Sequence, residues 1–146
     1  LYGSMWGGTE LMARSFGEGL AAGGLKVNVM SVDACHRSDI INEIHLAGVL
    51  VVGSSTLNGQ ILPAIADVLT YMKGLKPVIP LGAAFGAYGW SGEAAAQIEE
   101  VLRALKIELV GEAIRVKNRP GGATLADCYE RGLLLAGRLN EKLATS

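Results

Sequence analysis

The sequence has few cysteines, few aromatic residues and no long apolar run, and these shortages exclude several classes of protein. Its two cysteines, Cys35 and Cys128, match no metal or redox spacing, which favours ordinary reduced thiols and a cytoplasmic setting. No stretch approaches the roughly 18 apolar residues of a membrane helix, and the start, Leu1–Met5, does not resemble a signal peptide. The formal net charge of −1 gives no reason to expect a nucleic acid or an anionic membrane as partner.

Apolar residues and glycine, in contrast, are abundant. Half of the 146 residues are apolar and 18% are charged, a composition that supports a sizeable packed core. The length suits one domain, and the absence of repeats and linkers predicts that this domain covers residues 1–146. The 20 glycines indicate tight strand-to-helix turns in which the backbone approaches a ligand.

Segments with strand character alternate along the chain with segments of helical period. Val49–Val52 is apolar on both faces, which is typical of a parallel strand covered by helices on each side. The predicted strands are Lys26–Ser31, Gly48–Gly53, Pro77–Phe85 and Ala113–Lys117, and the predicted helices are Thr9–Leu20, Ser38–Ala47, Leu62–Lys73, Glu93–Leu105 and Leu125–Leu143. This alternation predicts right-handed crossovers and an α/β fold, a parallel sheet between two layers of helices.

The first strand of such a sheet is unusually short in this sequence. Only Leu1 and Tyr2 precede the turn at Gly3–Gly8, although the corresponding strand of a doubly wound sheet is internal. We therefore expect the natural polypeptide to extend upstream of Leu1. A start codon immediately before Leu1 in the parent gene would contradict this expectation.

The first of three unusual loops, Gly3–Glu10, lies directly ahead of a predicted helix. Backbone N–H groups, the hydroxyls of Ser4 and Thr9, and the positive end of the helix could together bind a phosphate. The loop contains no Lys or Arg, so a phosphate there would be neutralised by N–H dipoles alone. The alternative is a plain glycine-rich turn with a Ser or Thr cap. The loop matches neither the P-loop nor the Gly-x-Gly-x-x-Gly pattern.

Two further loops follow predicted strands. Gly53–Gln60 carries small hydroxyl residues and Asn58, which could bond the rim of a planar heterocycle or simply cap the next helix. Ala84–Glu93 sets large aromatic residues among glycines, and such rings can stack on a flat ring system. Alternatively, Trp90 folds back onto the domain or packs against a partner.

Five segments resemble the flavodoxin domain of flavodiiron proteins, the A-type flavoproteins: Tyr2–Thr9, Ser54–Asn58, Ile61–Pro63, Leu69–Leu75 and Ala83–Glu93. The resemblance implies a flavodoxin-like three-layer α/β/α fold with a five-stranded parallel sheet whose first strand is truncated. It also implies bound FMN, with the phosphate in the first loop and the isoalloxazine between the other two. The implied cofactor-binding residues are Ser4, Met5, Trp6, Gly7, Gly8, Thr9, Ser54, Ser55, Thr56, Leu57, Asn58, Ala84, Phe85, Gly86, Ala87, Tyr88, Gly89 and Trp90.

In that family the flavin relays electrons from rubredoxin or a reductase to a di-iron site on a metallo-β-lactamase-like domain, which reduces oxygen or nitric oxide. The resemblance implies such a di-iron domain as partner, in the same parent chain or a dimer mate, within a homo-oligomer. The only histidines, His36 and His45, form no His-x-His-x-Asp-His cluster, so we place the di-iron chemistry elsewhere. Two alternatives stay open: a stand-alone FMN-dependent quinone or nitro reductase, and an assembly module without flavin.

Overall fold

The computed structural model describes residues 1–5 and 7–145. The strands are β1 (Tyr2–Gly3), β2 (Val49–Leu57), β3 (Gln60–Ile61), β4 (Leu81–Tyr88), β5 (Glu108–Leu109) and β6 (Ile114–Lys117). The helices are α1 (Gly8–Ala22), α2 (Arg37–Leu46), α3 (Pro63–Leu75), α4 (Glu93–Ala104) and α5 (Gly122–Thr145).

The sheet is parallel and centred on β2, as the alternation of elements predicts. β2 pairs with β1 on one side and with β4 on the other, and the far edge of β4 pairs first with β5 and then with β6. The short β3 folds back antiparallel on the end of β2. One face of the sheet is covered by α1 and α5, through buried residues such as Phe16 and Leu135, and the other by α2, α3 and α4. This arrangement confirms the flavodoxin-like α/β/α fold.

The strand predicted at Lys26–Ser31 does not form as a regular strand. The segment runs parallel to β1 but is joined to it only around Tyr2, whose N–H donates to the Met30 carbonyl at 3.0 Å and whose carbonyl accepts from Val32 N–H at 2.9 Å. A ladder needs a partner at every second residue, and β1 contributes backbone groups over two residues only. The remaining residues of the segment therefore stay extended without regular pairing.

The strand predicted at Ala113–Lys117 is the second piece of an interrupted strand, β5 followed by β6. Between the two pieces, side chains replace the ladder bonds. The Glu99 carboxylate accepts from Ala113 N–H at 3.1 Å, and the Arg131 guanidinium donates to the carbonyls of Val110 and Glu112 at 3.1 and 2.7 Å. The expected five-stranded sheet thus consists of three regular strands, one strand in two pieces, and one segment joined by a single bridge.

Glycine has a second use that the composition did not indicate, namely close packing of helices. A Cβ atom at Gly19 would lie 2.0 Å from the Tyr129 carbonyl oxygen, and one at Gly132 would lie 2.4 Å from the Phe16 carbonyl oxygen. Helices α1 and α5 therefore approach each other backbone to backbone, which only glycine permits. Part of the glycine content serves this contact and not a ligand.

A cavity of about 400 Å³ lies between the segment Leu25–Met30 and the start of β2. Its lining is mainly aliphatic, and two of its polar side chains are used by each other, since Asn28 donates to Glu43 at 2.6 Å. The Leu1 backbone nitrogen lies 2.9 Å from the Val51 carbonyl oxygen there. The cavity adjoins the amino-terminal half of β2, away from the strand ends where ligands bind in such folds.

Candidate functional site

An open cleft of about 360 Å³ lies at the carboxyl ends of the parallel strands. Four parts of the chain meet there: the end of β2, and the segments at the ends of β1, β4 and β6. The lining residues are Met5, Gly8, Ser55, Thr56, Ala87, Tyr88, Gly89, Asn118 and Arg119. The first three parts belong to the loops that the sequence predicts, and the loop after β6 is new.

The first loop prepares the amino terminus of α1 for an anion. Gly7 adopts φ +85°, a left-handed conformation that glycine tolerates best, and its N–H donates to the Ser4 hydroxyl at 2.9 Å. Helix α1 then begins at Gly8 without a side-chain cap, so the N–H groups of Gly8 and Thr9 have no acceptor among residues 1–5 and 7–145. Unpaired N–H groups at a helix start bind anions well. The predicted ligand Trp6 lies outside the described residues.

The Thr9 side chain has a partner within the protein. It is fully buried, and its hydroxyl lies 2.9 Å from the Ser55 hydroxyl, which also accepts from Met5 N–H at 3.3 Å. This pair fixes the first loop against the end of β2. A bond from the Thr9 hydroxyl to a phosphate stays a prediction.

The second predicted loop is mostly strand. β2 continues through Leu57, and Asn58 and Gly59, with φ +51° and +74°, form a two-residue turn into β3. An Asn-Gly pair strongly favours such a hairpin turn, so the sequence carried a signal that the loop interpretation missed. Gln97 holds the turn, because its amide donates to the Gly59 carbonyl at 3.2 Å and accepts from Ile61 N–H at 3.0 Å. Leu57 and Asn58 thus lie at the exposed tip of the hairpin, beyond the cleft lining.

Hydroxyl residues at the end of β2 divide into structural and cleft-facing ones. Ser54 is buried, and its hydroxyl donates to the Ser55 carbonyl at 2.8 Å and accepts from Leu62 N–H at 3.0 Å. The Ser54 side chain thus bonds within the protein and is not part of the cleft lining. Ser55 and Thr56 line the cleft, and the Thr56 hydroxyl also accepts from Ala94 N–H at the start of α4, at 3.3 Å.

The third predicted loop also begins as strand, because β4 extends to Tyr88. Ala84, Phe85 and Gly86 are buried, and the Phe85 ring packs at 5.1 Å from the Phe16 ring of α1. The expectation that Phe85 forms an aromatic wall of the site is therefore wrong, since its side chain belongs to the core. The last two residues of β4, Ala87 and Tyr88, and the following Gly89 line the cleft, and the next residue, Trp90, is 95% exposed.

The fourth loop follows β6 and was missed by sequence reasoning. Asn118 adopts φ +62°, and its N–H donates to the Tyr88 carbonyl at 2.6 Å, which joins this loop to the third. The run Asn118–Gly122 after the last predicted strand has the residues that favour turns, which was an available signal. Arg119 is the one charged residue in the cleft lining.

The cleft therefore combines a helix start with free N–H groups, hydroxyls, a tyrosine and a mostly neutral lining. Its volume falls within the roughly 300–1,000 Å³ of small-molecule sites. In open parallel α/β sheets, ligands such as mononucleotides bind in a crevice of this kind, outside the carboxyl ends of the strands. Among residues 1–5 and 7–145, no three His, Cys, Asp or Glu side chains are grouped to hold a metal ion, and no helix is long and apolar enough to cross a membrane.

Residues 1–132 match the Flavodoxin family, and the chain belongs to that family. It is 41% identical over 143 residues to a rubredoxin-oxygen oxidoreductase of Megalodesulfovibrio gigas, covering 98% of this chain and 36% of that protein. It is 43% identical over 139 residues to a nitric oxide reductase of Moorella thermoacetica, covering 94% and 35%. The chain thus spans about a third of the length of these relatives.

Solved structures show the same relation. The rubredoxin oxygen:oxidoreductase of Desulfovibrio gigas superimposes with a TM-score of 0.95 at 40% identity, over 98% of this chain and 36% of that one. An archaeal flavodoxin, matched over 96% of this chain and 99% of its own length, gives 0.81 at 28% identity. FMN is the cofactor of the flavodoxin family and of its flavodiiron members, and the cleft fits it: a helix start for a phosphate and the Tyr88 ring for a flat ring system.

Proposed function

We propose that this chain is the electron-transfer module of a flavodiiron oxygen or nitric oxide reductase and occupies the carboxyl-terminal part of that larger protein. The observation that carries the proposal is the cleft at the strand ends, which joins an uncapped helix start to the Tyr88 ring. The similarity to two such reductases over nearly the whole chain supports it.

The chain's own residues would bind, orient and shield FMN. The N–H groups of Gly8 and Thr9 would hold the phosphate, and the cleft-lining residues Thr56, Tyr88 and Gly89 would contact the ring. When bound, FMN supplies the electron-transfer chemistry. No side chain of the cleft is required as acid, base or nucleophile.

The proposed partners are a di-iron domain, in the same parent chain or in a dimer mate, and an electron donor such as rubredoxin or a reductase. The names of the relatives support this, since one is called a rubredoxin-oxygen oxidoreductase. A homo-oligomeric parent protein is part of the same proposal. The free thiols of Cys35 and Cys128 support a reducing, cytoplasmic setting.

An absorbance scan of the purified chain, before and after addition of FMN, tests the proposal. We expect flavin bands at about 375 and 450 nm, which belong to the isoalloxazine itself. A chain that takes up no FMN would contradict the proposal and support an assembly module.

Stopped-flow reduction then separates an electron relay from a stand-alone reductase. The FMN-loaded chain should be reduced by reduced rubredoxin and not by NADH alone, because the proposed relay takes its electrons from a protein donor. Rapid reduction by NADH without a partner protein would instead identify a stand-alone reductase.

A further inference from the structure

A phosphate bound at the start of α1 would bring a large negative charge. The loop after β1 offers little positive charge to balance it. A phosphate monoester carries about −1.5 to −2 charges at pH 7, whereas a helix start offers an equivalent of roughly +0.5. The loop from Gly3 to Glu10 contains no Lys or Arg. Any cation for the phosphate must therefore come from another loop.

Arg119 is the one charged residue in the cleft lining. Its neighbours on both sides lie against the first residue of α1: a Cβ at Gly8 would be 3.2 Å from Pro120 Cδ and 3.6 Å from the Asn118 carbonyl oxygen. The bond from Asn118 N–H to the Tyr88 carbonyl and the burial of Pro120 hold the loop in this place. Arg119 is thus carried beside the free N–H groups of the helix start.

The Arg119 guanidinium is also available. It makes no ion pair or hydrogen bond with any of residues 1–5 and 7–145. The acid nearest in sequence to the helix start, Glu10, is held by Arg14 at 3.0 Å, and Arg115 of β6 faces Glu99 at 4.0 Å. Lys117 of β6 is not part of the cleft lining, so Arg119 is the basic residue that both lines the cleft and has no acid partner among residues 1–5 and 7–145.

We infer that Arg119 is the cation that pairs with the FMN phosphate, reaching it from the loop after β6. This inference rests on the proposed function. It adds a residue that selects the phosphorylated flavin, FMN, because a guanidinium forms two parallel hydrogen bonds with a phosphate. It replaces the expectation that N–H dipoles alone neutralise the phosphate. Riboflavin, which lacks the phosphate, would gain nothing from Arg119.

The test compares Arg119→Gln with the wild-type chain, using FMN and riboflavin as separate ligands. Loss of a charge-assisted hydrogen bond should raise the Kd for FMN about 10- to 100-fold and leave the Kd for riboflavin unchanged within about twofold. The salt dependence of FMN binding should flatten, and Arg119→Lys should recover part of the affinity. The midpoint potential of bound flavin should stay the same, because the phosphate does not change on reduction.

Lys73→Gln is the matched control, because it removes one positive charge from the exposed last turn of α3 without touching the cleft. Thermal melts of each variant show that the fold is kept. An Arg119→Gln variant that binds FMN as wild type does, or that loses FMN and riboflavin equally, would overturn the inference while leaving the proposed function intact. A wild-type chain that binds no FMN would overturn both.

Discussion

Phe85 and Trp90 lie on the same short stretch of chain, yet they belong to two different regions of the molecule. Phe85 is 1% exposed and packs against Phe16 beneath the sheet, whereas Trp90 is 95% exposed, next to the cleft-lining Gly89. The residues between them, Gly86–Gly89, carry the chain from the core to the site. The same residue type therefore serves stability at one end and, by our proposal, a cofactor at the other.

The difference comes from where strand β4 ends. In the middle of a strand such as β4, side chains alternate between two covered faces, whereas the last strand residues, Ala87 and Tyr88, reach the cleft lining. Once β4 has ended at Tyr88, the backbone leaves the sheet and its side chains are exposed. Substitutions on the two sides of this boundary should thus affect two different quantities, the free energy of unfolding and the affinity for FMN.

The largest effect is expected for Phe85→Ala. Removing a buried aromatic ring should lower the free energy of unfolding by about 3–5 kcal/mol, because the cavity left beside Phe16 cannot refill. Chemical denaturation measures this value, and Phe85→Leu should cost clearly less. A variant of wild-type stability would show that Phe85 is not part of the core.

Gly53→Ala should lower the free energy of unfolding nearly as much, because Gly53 packs against the Phe85 ring. A Cβ at Gly53 would lie 2.1 Å from the Phe85 ring, and such overpacking costs about 1–3 kcal/mol or more. Combining it with Phe85→Leu should return part of the loss, which two denaturation curves would reveal. Gly74→Ala is the control: nothing lies within 4 Å of its Cβ position in α3, so it should stabilise slightly.

Ser55 and Thr9 lie at the boundary between the core and the cleft. Substitutions there should have effects of intermediate size, on both the free energy of unfolding and the affinity for FMN. Breaking their buried hydroxyl pair with Ser55→Ala should lower the free energy of unfolding by about 1 kcal/mol. FMN affinity should fall as well, because Ser55 also holds the Met5 N–H of the first loop. A double-mutant cycle with Thr9→Val should show coupling; strictly additive effects would mean that the pair does not fix the loop.

Trp90→Ala should have the smallest effect on folding. An exposed side chain without packing partners contributes within about 0.5 kcal/mol to the free energy of unfolding. Fluorescence of bound FMN should nevertheless rise, since a stacked indole quenches it. Val78→Ala, at a residue 93% exposed and outside the cleft lining, should change neither quantity. Unchanged FMN fluorescence and affinity in Trp90→Ala would remove Trp90 from the site.

Much of the fold was predictable because it depends on patterns that are local in the chain. The doubly apolar run at Val49–Val52 indicates a covered parallel strand, and Pro63 indicates a helix start; both are confirmed. The glycine and hydroxyl residues from Ser4 to Thr9 place a turn ahead of a helix, and the helix begins there. The Asn58-Gly59 turn was equally local, and its omission was an error of interpretation.

Sequence by itself thus determined the alternation of strands and helices, the family to which the chain belongs, and the three loops that reach the cleft. Only the tertiary structure decided which of those residues turn inward, as Phe85 and Ser54 do, and that Arg119 reaches the cleft from a fourth loop. The physical reason is that burial and proximity depend on how far each strand is paired and on what packs above it. Those are relations between segments distant in the chain, which no single stretch of sequence contains.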